Sequence, residues 1–212
     1  ISGIGYFDTT GLDAMDYFLT DKYLSKSQTK FTEKFLTIEN AFALTPNQKM
    51  IDAKNNLVRK PHKFFNFGCL NNFMKINEDY LQLARLLLEK EPQTRFIFRD
   101  TTPLESRRKA LIGRLKLEGI PLERVDVRLG ADNFFDDYAE IDLIIDTHPY
   151  TGGFMTALAF YMGVKVSFLS RELYHSRIGS DIARQFECGK LTDTKNFVRR
   201  VYRKFIEVLK NE

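Results

Sequence analysis

The sequence predicts an α/β protein, a doubly wound parallel sheet with helices on both faces. Two observations carry this. From Pro61 onward, short apolar runs alternate with amphipathic runs at helical spacing, the pattern of repeated βαβ units. The run Leu143-Ile144-Ile145 is fit for a strand buried on both faces. It passes through a Gly-rich turn directly into helix-forming sequence.

The first sixty residues show no such alternation. Ile4-Gly5-Tyr6-Phe7 reads as a strand end, Thr9-Thr10-Gly11 as a turn, and Asp16 to Asp21 as a strand bounded by acids. Phe31 to Ala43 has apolar residues at mixed spacing, and Asn47 to Lys60 is polar and basic and reads as a loop. Phe64 to Leu70 is the first strand of the repeating pattern, followed by the loop Asn71 to Lys75. Asn77 can cap a helix to Lys90 whose Tyr80, Leu81, Ala84, Leu87 and Leu88 share one face. Arg95 to Phe98 is the second strand. Pro103 to Glu118 is a basic amphipathic helix ended by Gly119. Val125 to Leu129, Leu143 to Ile145 and Val164 to Leu169 complete a set of five strands. Helices are expected over Phe134 to Ile141, from Thr156 to about Gly163, over Arg171 to Phe186 and over Asp193 to Lys210.

A chain of 212 residues with 43% hydrophobic and 28% charged residues belongs among soluble globular proteins. No apolar run approaches a membrane span. The chain starts at Ile1 within ordinary folded sequence, so it is expected to be a piece of a longer protein. Two distant cysteines, Cys69 and Cys188, fit a reduced, cytoplasmic protein. A net charge of +4 favours anionic ligands slightly. It does not suggest nucleic acid, which would need a basic stripe along Arg107 to Lys116 or Arg199 to Lys204. His148 and His175 lack partners at metal-ligand spacing, so no metal is expected. The turn Thr151-Gly152-Gly153 before a helix is a geometry that aims backbone N–H groups at an anion; it is equally the geometry of a plain tight turn. Right-handed crossovers put it on the same sheet edge as the loop holding Asn72 and Lys75.

Several segments, in order, resemble one family. They are Gly5-Tyr6-Phe7-Asp8-Thr9-Thr10-Gly11-Leu12 with Met15-Asp16-Tyr17 and Leu19-Thr20-Asp21; Phe31-Thr32-Glu33-Lys34-Phe35; Leu70-Asn71-Asn72-Phe73-Met74-Lys75-Ile76; Asp146-Thr147-His148-Pro149-Tyr150-Thr151-Gly152-Gly153; Met162-Gly163-Val164; and His175-Ser176-Arg177-Ile178-Gly179. Together they resemble the carboxy-terminal half of the O-linked N-acetylglucosamine transferases and their SPINDLY-type relatives.

The resemblance implies a GT-B glycosyltransferase. Residues 1–60 would be an arm left over from the lobe junction, 61–190 a Rossmann-like lobe binding a nucleotide sugar, and 191–212 an amphipathic crossing helix. It implies transfer from a sugar nucleotide, UDP-linked, to Ser or Thr of a protein, with no metal or other cofactor. Lys75 would hold the departing diphosphate. Asn72, Thr151, Gly152, Gly153, Phe154, Met155, Thr156, Phe134 and Arg177 would line the donor site. An upstream lobe with the catalytic histidine, and tandem helical repeats before it, would complete the protein.

The sequence departs from the family where Phe154-Met155 replaces a pair of threonines and Leu158 replaces a ribose-holding acid. Phe134 stands near the position of a base-side histidine. A second reading therefore stays open, a non-catalytic interaction module on the same fold. The position of the Phe154, Met155 and Leu158 side chains separates the two. The stripe Phe197, Val198, Val201, Phe205, Val208 and Leu209, together with residues 1–60, is expected to cover surface meant for the other lobe.

Overall fold

The computed structural model describes residues 1–186 apart from positions 4, 40, 43, 60, 133 and 170. The helix expected over Asp193 to Lys210 lies outside the described residues. The elements are β1 (Tyr17–Asp21), β2 (Lys34–Ile38), α1 (Gln48–Asn55), β3 (Phe65–Cys69), α2 (Glu78–Lys90), β4 (Thr94–Arg99), α3 (Glu105–Leu117), β5 (Val125–Arg128), α4 (Asp137–Glu140), β6 (Leu143–Ile145), α5 (Phe154–Tyr161), β7 (Lys165–Ser167) and α6 (Tyr174–Gln185). Short 3-10 turns interrupt the loops, among them Phe73–Lys75 after β3 and Phe134–Asp136 before α4.

Five strands form one all-parallel sheet in the order β5-β4-β3-β6-β7. Period-two alternation sends alternate side chains to opposite faces. Phe67, Phe96, Phe98, Leu143 and Ile145 pack under α2 and α3 with Tyr80, Leu87, Leu111 and Leu115. Leu70, Ile97, Ile144 and Val166 pack on the other face with Tyr138, Leu158 and Met162. Strands buried on both faces read as continuous apolar runs, which is why β4 and β6 stand out in the sequence, while the edge strands β5 and β7 are only partly buried. The Asn77 side chain accepts from the Tyr80 amide and starts α2 as expected, while Gly119, at φ +74°, closes α3 in the left-handed conformation.

In the first sixty residues the strand expected over Asp16 to Asp21 is present as β1. β1 and β2 form a small parallel pair of their own. Phe18, Leu24 and Ala41 pack into a third core with Ala157 of α5 and Tyr174, Ile178 and Ile182 of α6. Asn47 to Lys60 is not a loop: Asn47 caps α1, accepting from the Met50 amide at 3.0 Å. Of this helix only Met50 and Ala53 reach the core cluster, with Leu57 just past its end, a stripe too narrow to stand out amid the charges. Large apolar side chains remain exposed in this region, Tyr6, Leu12, Tyr17 and Leu36 among them.

A buried ion network locks the other end of the sheet. Asp137 of α4 accepts from Arg99 of β4 through both carboxylate oxygens, and from Arg128 of β5 at 2.5 Å. Removing one member of a buried network leaves its partners charged and unpaired, which costs about 3–5 kcal/mol. Asp137→Ala should therefore lower unfolding stability by about that amount, read from the denaturant midpoint; a loss under about 1 kcal/mol would show that solvent already screens this network.

Candidate functional site

β3 has β4 on one side and β6 on the other, and the chain winds away from it in both directions. Loops leaving the carboxyl ends of β3 and β6 therefore part company here, the crevice where open α/β sheets bind ligands. Asp146, just past β6, organises it. Its carboxylate is completely buried. One oxygen accepts from Asn71 Nδ2 at 2.7 Å, the Thr147 amide at 2.8 Å and the Gly152 amide at 2.9 Å; the other accepts from Thr156 Oγ1 at 2.9 Å. Burial pushes this carboxyl above the usual carboxylate range, against the pull of the Gly152 amide, Thr156, Asn71 and the nearby Lys75.

Gly152 is required here by space. A Cβ would stand 2.2 Å from Thr156 Oγ1 and 3.0 Å from Asn71 Oδ1. Gly153 begins α5 without a side-chain cap, so the amides of Phe154, Met155 and Thr156 form a first turn with no intrahelical acceptor. A Cβ on Gly153 would meet the Phe7 ring at 2.9 Å, so an aromatic residue from the N-terminal segment lies directly on this turn.

Lys75 joins the two loops. The Asn72 side chain accepts from the Met74 amide at 2.9 Å and from Arg107 at 3.1 Å, fixing the short 3-10 turn that ends at Lys75. Lys75 Nζ donates to the Thr151 carbonyl at 2.9 Å and sits 4.1 Å from the centre of the Tyr150 ring and 5.7 Å from that of Phe7. Burial pulls its pKa down to about 8, against the opposing charge of Asp146. Tyr150 stacks with Phe7, ring centres 5.2 Å apart, and lies nearly parallel to His175 at 6.1 Å.

Asn72, Lys75, Thr151, Gly152, Gly153 and the start of α5 thus come together. The remaining expected site residues are placed differently. The Gly152 amide and the Thr156 hydroxyl are turned inward to Asp146 and are not offered to a ligand. Arg177 points at the N-terminal segment, donating to the Tyr23 carbonyl at 2.9 Å with its guanidinium over the Tyr23 ring. Phe134 stacks on Phe135 and packs against the core at the same carboxyl edge, beyond β5. Leu158 is wholly buried, Met155 leans on the same core, and Phe154 is half exposed. Arg107, Arg108 and Arg114 of α3 are each engaged with the fold, which takes them out of any free basic stripe. Among the described residues no His, Cys, Asp and Glu side chains cluster as a metal would need, and no helix is long and apolar enough to cross a membrane. Sequence reasoning missed Asp146 as the anchor, Phe7 and Tyr150 as neighbours of Lys75, and Asp8 as the partner of His175. The segments bearing Phe7, Asp8 and Tyr150 were already among those that carry the family resemblance.

With the geometry in place, comparison with known proteins is informative. No protein-family model matches the chain. A probable UDP-N-acetylglucosamine–peptide N-acetylglucosaminyltransferase SPINDLY of Petunia hybrida is 26% identical over 198 residues, covering 90% of this chain and 21% of that protein. The Solanum lycopersicum protein of the same name is 26% identical over 214 residues, covering 98% and 22%. The chain is homologous to the SPINDLY-type peptide N-acetylglucosaminyltransferases. It spans about a fifth of the length of those relatives. Among solved structures, a Thermobaculum terrenum O-GlcNAc transferase variant superposes with a TM-score of 0.70 at 22% identity, covering 96% of this chain and 43% of that one. WaaG, a glycosyltransferase involved in lipopolysaccharide biosynthesis, superposes at 0.50 and 14%, covering 95% and 56%. The fold is that of a GT-B glycosyltransferase lobe.

Asp146 offers a direct test of this anchor. Asp146→Ala strands the Gly152 amide, Asn71 and Thr156 without their shared acceptor, and each unsatisfied buried donor costs about 1–3 kcal/mol. The variant should lose about 3 kcal/mol or more in chemical denaturation. A loss below about 1 kcal/mol would mean that the turn does not depend on this carboxylate.

Proposed function

We propose that this chain is the sugar-nucleotide-binding lobe of a protein O-glycosyltransferase. One observation carries the reading: Lys75 and the uncapped start of α5 converge on the crevice between β3 and β6. An ammonium group has three donors. Thr151 takes one, leaving two for a diphosphate. The first-turn amides of α5 add oriented donors and the positive end of the helix dipole.

In this reading a Ser or Thr hydroxyl of the acceptor protein attacks the anomeric carbon. The bond from that carbon to the phosphate oxygen breaks, and the electron pair leaves with the nucleoside diphosphate. The hydroxyl proton passes to a base on the other lobe, which also completes the acceptor site; this lobe alone binds the donor without turnover. Lys75 and the α5 amides stabilise the charge developing on the departing diphosphate, the part a metal ion plays elsewhere. The relatives' names support UDP as the nucleotide. A cytoplasmic setting and tandem helical repeats upstream go with the same reading. The rival reading, a non-catalytic module, is less favoured. Leu158 is in the core and Met155 leans on it, so neither of these two fills the crevice with a free side chain, while Phe154 stays half exposed at the start of α5.

The test is titration of UDP and GDP onto the full-length protein. Lys75→Ala should weaken diphosphate binding about 10- to 100-fold, the loss of one charge-assisted contact. Because Lys75 titrates at about 8 in the free protein, affinity should fall as pH rises through that value and stay flat in Lys75→Ala. Absence of binding by either nucleotide to the wild-type protein would overturn the proposal.

A further inference from the structure

Asp8 and His175 lie 167 positions apart in sequence and meet beside the crevice, Asp8 Oδ2 to His175 Nδ1 at 3.2 Å. The other Asp8 oxygen accepts from the Thr9 amide at 2.8 Å. An ionised carboxylate only accepts, so Nδ1 is the donor in this pair. In a neutral ring, Nε2 is then an acceptor in a fixed orientation. Both side chains are open to solvent, 40% for Asp8 and 18% for His175. Nor is Asp8 needed to hold its own loop. Glu33 does that, accepting from Thr9 Oγ1, Thr10 Oγ1, the Thr10 amide and Thr32 Oγ1.

The pair is tied to the diphosphate end of the site through one residue. The His175 carbonyl accepts from Thr151 Oγ1 at 2.9 Å, and the Thr151 carbonyl in turn accepts from Lys75. Between the two ends stand the rings of Tyr150 and Phe7. The sequence of chemistries is a cation, then aromatic faces, then a fixed carboxylate–imidazole pair. A nucleoside diphosphate sugar presents the matching order: phosphate oxygens, the C–H face of a pyranose, then hydroxyls.

We propose that Asp8 and His175 are specificity-determining residues that read hydroxyls of the donor sugar, with Tyr150 and Phe7 as the surface against which the ring rests. This rests on the reading of the crevice as a nucleotide-sugar site and names the part of it that distinguishes one sugar from another. Neither residue stands on the diphosphate, so their effect is confined to the sugar.

The experiment compares affinities of the full-length protein for UDP and GDP alone and for a panel of their hexose and N-acetylhexosamine conjugates. At least one conjugate should bind the wild-type protein about tenfold or more tightly than its parent diphosphate, the yield of one or two hydrogen bonds to polar or charged groups. His175→Ala and Asp8→Asn should each bring that ratio to about threefold or less while diphosphate affinity stays within about threefold. His175→Gln, which keeps an acceptor, should retain part of the ratio. Lys75→Ala should weaken diphosphate and conjugate alike. A ratio unchanged in both His175→Ala and Asp8→Asn would overturn this inference and leave the nucleotide site standing, as would a wild-type protein that binds diphosphate but gains nothing from any sugar. If the wild-type protein binds no diphosphate, the nucleotide-site reading falls and this inference with it. The unchanged diphosphate affinity shows that a variant is folded, and Asp8→Asn, on an exposed loop, supplies a second probe.

Discussion

The structure depends most on a buried carboxylate. Asp146 stands at the point where the sheet changes winding direction, and its four donors come from three places: Asn71 after β3, the turn after β6, and Thr156 in α5. A carboxylate out of water needs such donors, and only this arrangement of strand ends supplies them. The consequence reaches further than Asp146 itself. Gly152 must be glycine, α5 must begin where it does, and the Thr151 carbonyl must face Lys75. An apolar residue at position 146 would take away the acceptor that the two central loops share, leaving the Lys75–Thr151 and Asn77–His148 contacts to join them.

Much of the sheet was legible because its central strands β4 and β6 are buried on both faces and carry their burial in their composition. Phe96-Ile97-Phe98 and Leu143-Ile144-Ile145 need no partner to be recognised. The first sixty residues obey a different physics. In β2 every residue is exposed, so no alternation marks it; it exists as a strand because β1 pairs with it. In α1 two apolar positions on the core, Met50 and Ala53, suffice because the helix lies at its margin. Elements held by long-range pairing or by a narrow contact leave little trace in the local pattern.

The site was legible in the same uneven way. Lys75 and the glycine turn were expected on one edge, and Lys75 does reach Thr151. What the sequence could not say is which donors the fold keeps for itself. Gly152 and Thr156 sit in a stretch that resembles a phosphate cradle, yet both serve Asp146. Arg177 stands in a matching motif, yet its guanidinium is spent on Tyr23. Such allocation is decided by burial and by the reach of individual side chains. It has no signature in residue type or spacing.

The same allocation explains why the substitutions at the start of α5 are less damaging than their chemistry suggests. Replacing hydroxyls by Phe154 and Met155, and an acid by Leu158, removes polar side chains from the first two turns of the helix. Leu158 then gains full burial and Met155 partial burial, which favours the apolar residue at both positions. Substitution of side chains does not remove the backbone amides, and these are the donors that a helix start contributes. Lys75 completes the balance. Burial makes its charge costly in the empty site, and an incoming diphosphate is the partner that would relieve that cost. On the reading proposed above, this edge of the sheet is an anion site built from main chain and one lysine, and the side chains at the start of α5 offer little to distinguish one ligand from another. The Asp8–His175 pair, beside the stacked rings of Phe7 and Tyr150 and supplied in part by the N-terminal segment, is a nearby group of polar side chains able to do so.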